Sequence, residues 1–376
     1  MKRPFGVLLG LVSGLLATAP SIAFAQPPQE IPFDSTADFL KLPPGRNFGE
    51  GAGIALNSKG HVFVYTRDGD SGHILAPRAA RLLEFGPDGR FIREIKDLYS
   101  MAWAHAVRVD KDDNIWLVDN GSDMIVKLNS EGRVLLVLGR RRESLPGLHA
   151  FQHPYDHPTP AARPTIFNEP TDITWDPQGN IFISDGYKNM SVAKLDKNGG
   201  WVTRIGKGNM AERGSGPGEF NNPHGIAADA QGNIYVADRG NGRIQVFDSN
   251  LKFLREIKID VPAPPDATIT NATLTTPVPG GAKHFEPGAP WAVCITPGRT
   301  LVLYVADAYP GRMYKLALDG KVLGFFGKNG KELKQFNWIH AIACPSENEV
   351  YVAELLTWRH QKLTLKPGPG QRITRP

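Results

Sequence analysis

Phe220-Asn221-Asn222-Pro223-His224-Gly225-Ile226-Ala227-Ala228-Asp229 is followed by Gln231-Gly232-Asn233-Ile234-Tyr235-Val236-Ala237-Asp238 and then by Arg243-Ile244-Gln245-Val246-Phe247-Asp248. Two alternating apolar runs around a Gly-Asn turn read as a β-hairpin, a third run follows, and Leu251 to Ile257 adds a fourth. Four short strands in succession make one blade of a β-propeller.

The same pattern recurs. Second strands read His61-Val62-Phe63-Val64, Asn114-Ile115-Trp116-Leu117-Val118-Asp119, Asn180-Ile181-Phe182-Ile183-Ser184-Asp185, Asn233 to Asp238, Tyr304-Val305-Ala306-Asp307 and Val350-Tyr351-Val352-Ala353-Glu354. A unit of this size cannot bury both faces alone, so six copies predict an all-β, six-bladed propeller of NHL-type repeats closed into a ring. The copies run over about 48–95, 103–139, 167–206, 220–257, 288–327 and 336–365 of a single domain, 26–376. The last copy has no outer strand after Leu365, and Ile31 to Leu42 is the segment expected to supply it from the other end. Two Pro-rich inserts, Arg140 to Pro164 and Val261 to Pro287, read as rim loops or lids.

Lys2 and Arg3, an apolar run from Phe5 to Ala19 and Ala23-Phe24-Ala25 have the form of a signal peptide, residues 1–25, which predicts an exported protein, periplasmic or secreted. Its removal would take the formal charge from +5 to +3 (5 − 2). That mild excess is no nucleic-acid footprint, and no later run is long and apolar enough for membrane insertion as a helix. Cys294 and Cys344 fall in first strands of neighbouring copies, and we expect two small buried thiols rather than a bridge. His149, His153 and His157 lie in a Pro-rich insert and read as rim.

Laying the copies in register brings out the chemistry. Eleven residues before the aromatic of each second strand stand Ala52, His105, Thr171, His224 and His340, with Trp291 in the longer hairpin of the fifth copy. Histidine therefore enters the first strand of blades two, four and six. Alternate blades place three imidazoles about a pseudo-threefold axis, a ready set of first-row metal ligands that leaves a position open for water or substrate. Residues just after the second strands should share that face: Arg67, Asn120, Tyr187 and Arg239. Arg67 and Arg239 suit a carboxylate, and Tyr187 suits a general base. The Asp residues at this point read as structural turn and inter-blade acceptors.

His105 with Val107-Arg108-Val109-Asp110, Glu169-Pro170-Thr171-Asp172, Ser184-Asp185-Gly186-Tyr187, Pro223-His224 and Ala237-Asp238-Arg239-Gly240-Asn241-Gly242-Arg243-Ile244-Gln245 together resemble the peptidyl-α-hydroxyglycine α-amidating lyase family. The resemblance runs from about Gly51 to Leu365. It implies zinc held by His105, His224 and His340, Tyr187 as catalytic base, Arg67 as catalytic arginine, and cleavage of an N-acyl carbinolamide to an amide and glyoxylate. A structural calcium in the channel is also implied, but Ala341 stands where the family has an aspartate, and Trp338 replaces its methionine. No copper monooxygenase domain is present in the sequence, so the small-molecule or peptide substrate need not be a peptide. The competing class is a non-catalytic NHL propeller binding a protein partner, peptide or glycan. A calcium-dependent lactonase propeller would want channel oxygens and ranks last.

Overall fold

The computed structural model describes residues 28–36, 38–67, 80–96, 101–139, 166–208, 212–267 and 283–366. Residues 1–25, the histidines of the 140–164 insert and most of the 261–287 insert lie outside the described residues. Among the described residues are six four-stranded antiparallel sheets, one for each copy, and no helix long and apolar enough to cross a membrane. The innermost strands are Glu50–Leu56, Ala104–Val109, Asp172–Trp175, Pro223–Ala228, Ala292–Ile295 and Ile339–Ser346. We number the blades one to six in that order.

The ring closes as the sequence suggested, over a shorter strand. Phe33–Thr36 pairs antiparallel with His360–Leu365 and becomes the outer strand of blade six. Phe33 is buried there among Phe326, Phe336 and Leu363, so the latch contributes apolar area as well as ladder hydrogen bonds.

Burial falls between blades because each sheet is apolar on both faces. Phe63, Tyr65 and Leu82 of blade one pack on Val107, Ile115 and Leu117 of blade two. Tyr235, Ile244 and Val246 of blade four meet Val293, Val305 and Tyr314 of blade five. Near the axis there is little room. A Cβ on Gly53 would lie 2.7 Å from the Val107 nitrogen, and one on Gly225 would lie 3.0 Å from that of Val293. Glycine at those positions lets neighbouring first strands approach.

Cys294 and Cys344 form a disulfide between the first strands of blades five and six, which corrects the expectation of two free thiols. Their Cα atoms are 6.1 Å apart, within bridging reach. That separation is set by how two neighbouring blades pack, which no local sequence pattern records.

The acids that end the second strands are structural, as the turn chemistry suggested. Each accepts the N–H of a residue on the approach to its own first strand: Trp103 to Asp119, Asn168 to Asp185, Asn221 to Asp238, Gly288 to Asp307 and Asn337 to Glu354. These clamps hold the chain where it turns into the channel. Burial raises Asp185 and Asp238 to about 6 and Asp307 to about 7.

Candidate metal centre and substrate pocket

His105, His224 and His340 meet on the axis. A β-bulge interrupts the pairing of the first two strands at each of them, between Ala104 and Ala106, between Pro223 and Ile226, and between Ile339 and Ala341. The extra residue of a bulge re-aims its side chain, here into the channel. The ring centroids are 4.7, 4.9 and 5.1 Å apart, and one nitrogen from each ring can be chosen so that all three lie within 4.8 Å of one another.

The intervening blades supply the other half of this arrangement. His105 Nδ1 lies 2.6 Å from the Thr171 carbonyl oxygen, His224 Nδ1 2.7 Å from that of Trp291, and His340 Nδ1 2.7 Å from that of Ala52. Ala52, Thr171 and Trp291 are the residues at the same register in blades one, three and five. A carbonyl accepts only, so each Nδ1 is the protonated nitrogen and each Nε2 keeps its lone pair for the axis. Burial pushes His105 and His224 far below the usual imidazole value and His340 down to about 3, so all three rings are neutral at ordinary pH. Three neutral Nε2 donors with fixed tautomers fit a first-row cation such as zinc.

Above the imidazoles opens a cavity of about 440 Å³. Arg67, which ends its second strand, and Asn120, Tyr187 and Arg239, just after theirs, line it as the topology required. Tyr187 Oη is 3.4 Å from His105 Nε2 and 3.5 Å from His224 Nε2, beside the point where the ligand atoms converge. The two arginines differ. Arg67 donates through Nε to the Ala104 carbonyl and through Nη1 to Glu50 at 3.0 Å, and stacks on Trp103. Arg239 lies flat on Trp291, its guanidinium carbon 3.8 Å from the ring centroid, with Nε 3.2 Å from His284 Nδ1 and Nη1 buried without a partner among the described residues. Both belong to the site, but Arg67 already holds a carboxylate and Arg239 does not.

The pocket also contains residues that the reading of the sequence did not assign. Glu50, Trp103, Glu169 and Trp338 line it, each two residues before the axial register of its blade. Counting back thirteen instead of eleven from the second-strand aromatic would have found them. His284 and Phe285, from the end of the 261–287 insert, complete the wall with Trp291. They carry no periodic signal.

Just below the imidazoles the channel is poorly suited to calcium. Arg108 Nε and Nη2 lie 2.8 and 2.5 Å from the two oxygens of Asp172, and Nη1 donates to the Ile342 carbonyl at 3.1 Å. Arg108, Asp172 and Ala341 line the small space there. A guanidinium occupying the acceptors and Ala341 supplying none do not fit a second, oxygen-liganded ion.

The NHL repeat model matches residues 220–247. The peptidyl-glycine alpha-amidating monooxygenase of Mus musculus is 30% identical over 337 residues, 84% of this chain and 30% of that protein. A probable peptidyl-alpha-hydroxyglycine alpha-amidating lyase of Caenorhabditis elegans is 25% identical over 244 residues, 61% of this chain and 63% of that protein. The chain is an NHL-repeat propeller homologous to the amidating lyases. The resemblance drawn from the motifs is therefore borne out, although the chain spans only 23% to 36% of the monooxygenase-named relatives. Among solved structures, virginiamycin B lyase from Staphylococcus aureus superposes with a TM-score of 0.54 at 14% identity, covering 90% of this chain and all of that one. A gluconolactonase from Xanthomonas campestris gives 0.53 at 15% identity, covering 92% and 99%. At such identities these two share the fold alone.

Proposed function

We propose that this protein is a metal-dependent carbon–nitrogen lyase that cleaves an N-acyl α-hydroxyglycine-like carbinolamide to a primary amide and glyoxylate. The observation that carries the reading is the phenol of Tyr187, 3.4 and 3.5 Å from two of three axial Nε2 atoms whose tautomers the odd blades fix. His105, His224 and His340 would hold zinc, which supplies a Lewis acid for the carbinol oxygen. Tyr187 Oη accepts the hydroxyl proton. The oxygen's electron pair becomes the second bond of the glyoxylate carbonyl as the carbon–nitrogen bond breaks, and the leaving nitrogen takes that proton back from Tyr187 Oη to give the amide. Arg239 holds the carboxylate that becomes glyoxylate's, and Arg67, already neutralised by Glu50, orients the hydroxyl side of the site.

Export fits this reading. Residues 1–25 have the form of a signal peptide, and the Cys294–Cys344 bridge suits an oxidising compartment. The test is glyoxylate release from an N-acyl α-hydroxyglycine by zinc-supplemented protein and by Tyr187→Phe. The variant should keep its metal and lose on the order of 10²- to 10⁴-fold in turnover. Undiminished turnover would remove Tyr187 from the reaction, and no glyoxylate from the wild-type chain would favour a binding propeller.

A further inference from the structure

The polar atoms left without partners around the pocket are all of one kind. Trp103 Nε1, Asn120 Nδ2, Arg239 Nη1 and Trp338 Nε1 are buried and have no partner among the described residues, and all four belong to lining residues. Every one is a donor. A buried donor without an acceptor is costly, so four among the lining residues favour a ligand that brings acceptors. A carboxylate and one amide carbonyl supply them. An extended peptide would bring a further polar N–H and C=O at each residue, which an apolar wall does not satisfy.

The opposite requirement comes from the wall. Phe285, Trp291 and Trp338 pack on one another with centroids 5.0 to 5.7 Å apart, and Leu355 and Leu356 continue the apolar surface. Trp338 is held at φ +65°, a left-handed conformation costly for a bulky residue. Its carbonyl accepts the Leu355 N–H at 3.1 Å, which fixes the turn that presents the ring. Being two residues before His340, the indole is tied to that axial imidazole by a short link.

We propose that the pocket selects an N-aroyl carbinolamide, its ring seated on Phe285, Trp291 and Trp338 and its carbonyl receiving an indole N–H, over an extended peptide. This rests on the lyase reading for the hydroxyglycine end but concerns the acyl end alone. Aromatic rings at such spacings favour offset or edge contacts with a further ring, and the open indole N–H gives the carbonyl a direction.

The test separates the two claims by measuring binding without turnover. N-Benzoylglycine and an N-acetylated tripeptide ending in glycine both lack the carbinol hydroxyl and cannot react. Titration calorimetry on the zinc-supplemented full chain should show the aroyl compound bound at least tenfold more tightly. Trp338→Ala should bring that ratio close to one, and Trp338→Phe should keep most of the preference while weakening both ligands a few-fold. Equal affinities in the wild type, or a ratio unchanged in Trp338→Ala, would overturn the proposal. Glyoxylate release from the matching hydroxylated compounds is read separately: equal kcat/KM for aroyl and peptidyl substrates defeats the acyl-side inference and leaves the lyase standing. Aroyl-selective binding with no glyoxylate defeats the lyase and leaves the selectivity.

Discussion

Blades two, four and six and blades one, three and five meet the axis at the same register and use it in different ways. The even blades present a side chain, an imidazole, and the odd blades present a main-chain carbonyl that receives that imidazole's Nδ1 proton. A carbonyl is available whatever the residue, so Ala52, Thr171 and Trp291 share no side-chain chemistry, while the even positions require histidine. One repeat thus yields three inward imidazoles and their orienting partners from a single structural position. The cavity above them is lined from other positions, two residues earlier and at or just after the end of the second strand.

The largest effect should come from breaking an even position. His224→Ala, read by elemental analysis of the purified protein, should abolish zinc retention, because two remaining ligands make a poor site. Full occupancy in that variant would mean that the metal is bound elsewhere. The link between an odd and an even blade is next. Reducing Cys294–Cys344, which closes a separation of 50 residues, should lower unfolding stability by about 2–4 kcal/mol in denaturant titrations. An unchanged midpoint would show that blade packing alone fixes the spacing of blades five and six.

His360 sharpens the contrast, because it is a buried histidine given no carbonyl. Neither of its ring nitrogens has a partner among the described residues, and burial holds it at about 3. Its folded value lies below the unfolded one near 6.5, so its contribution to stability is complete above about pH 6.5 and is lost as pH falls toward 3. Metal-free wild type should therefore lose more stability than His360→Gln on acidification, by about 1–3 kcal/mol near pH 4. Comparison within the pair is needed because Asp185, Asp238 and Asp307, raised by burial, change in the opposite sense over part of that range. Equal acid sensitivity of the two proteins would exclude His360 as a contributor. The smallest effect belongs to an odd position. The Thr171 hydroxyl lies 2.8 Å from Ser184 Oγ and 2.9 Å from the His224 carbonyl oxygen, so Thr171→Val should cost about 1 kcal/mol of stability yet keep the metal, since the Thr171 carbonyl is untouched. Metal loss in that variant would show that the side chain, not the backbone, positions His105.

Much of this was legible in the residues themselves. Alternation around Gly-Asn turns and its sixfold recurrence decide the propeller, because period two and a closed ring are the way such copies bury their faces. The register of His105, His224 and His340 follows from counting, and so does the common face of Arg67, Tyr187 and Arg239, because antiparallel strands return to the end from which they start. Tertiary structure decided the rest. Whether Cys294 reaches Cys344 depends on the spacing of two blades. Glu50 rather than a ligand holds Arg67, and Arg108 fills the channel below the three imidazoles, because side chains remote in sequence compete for one small volume. His284 and Phe285 come to the pocket from an insert without any period. The carbonyls of Ala52, Thr171 and Trp291 left no mark in the sequence, since every residue has one and only packing determines which of them an imidazole will find.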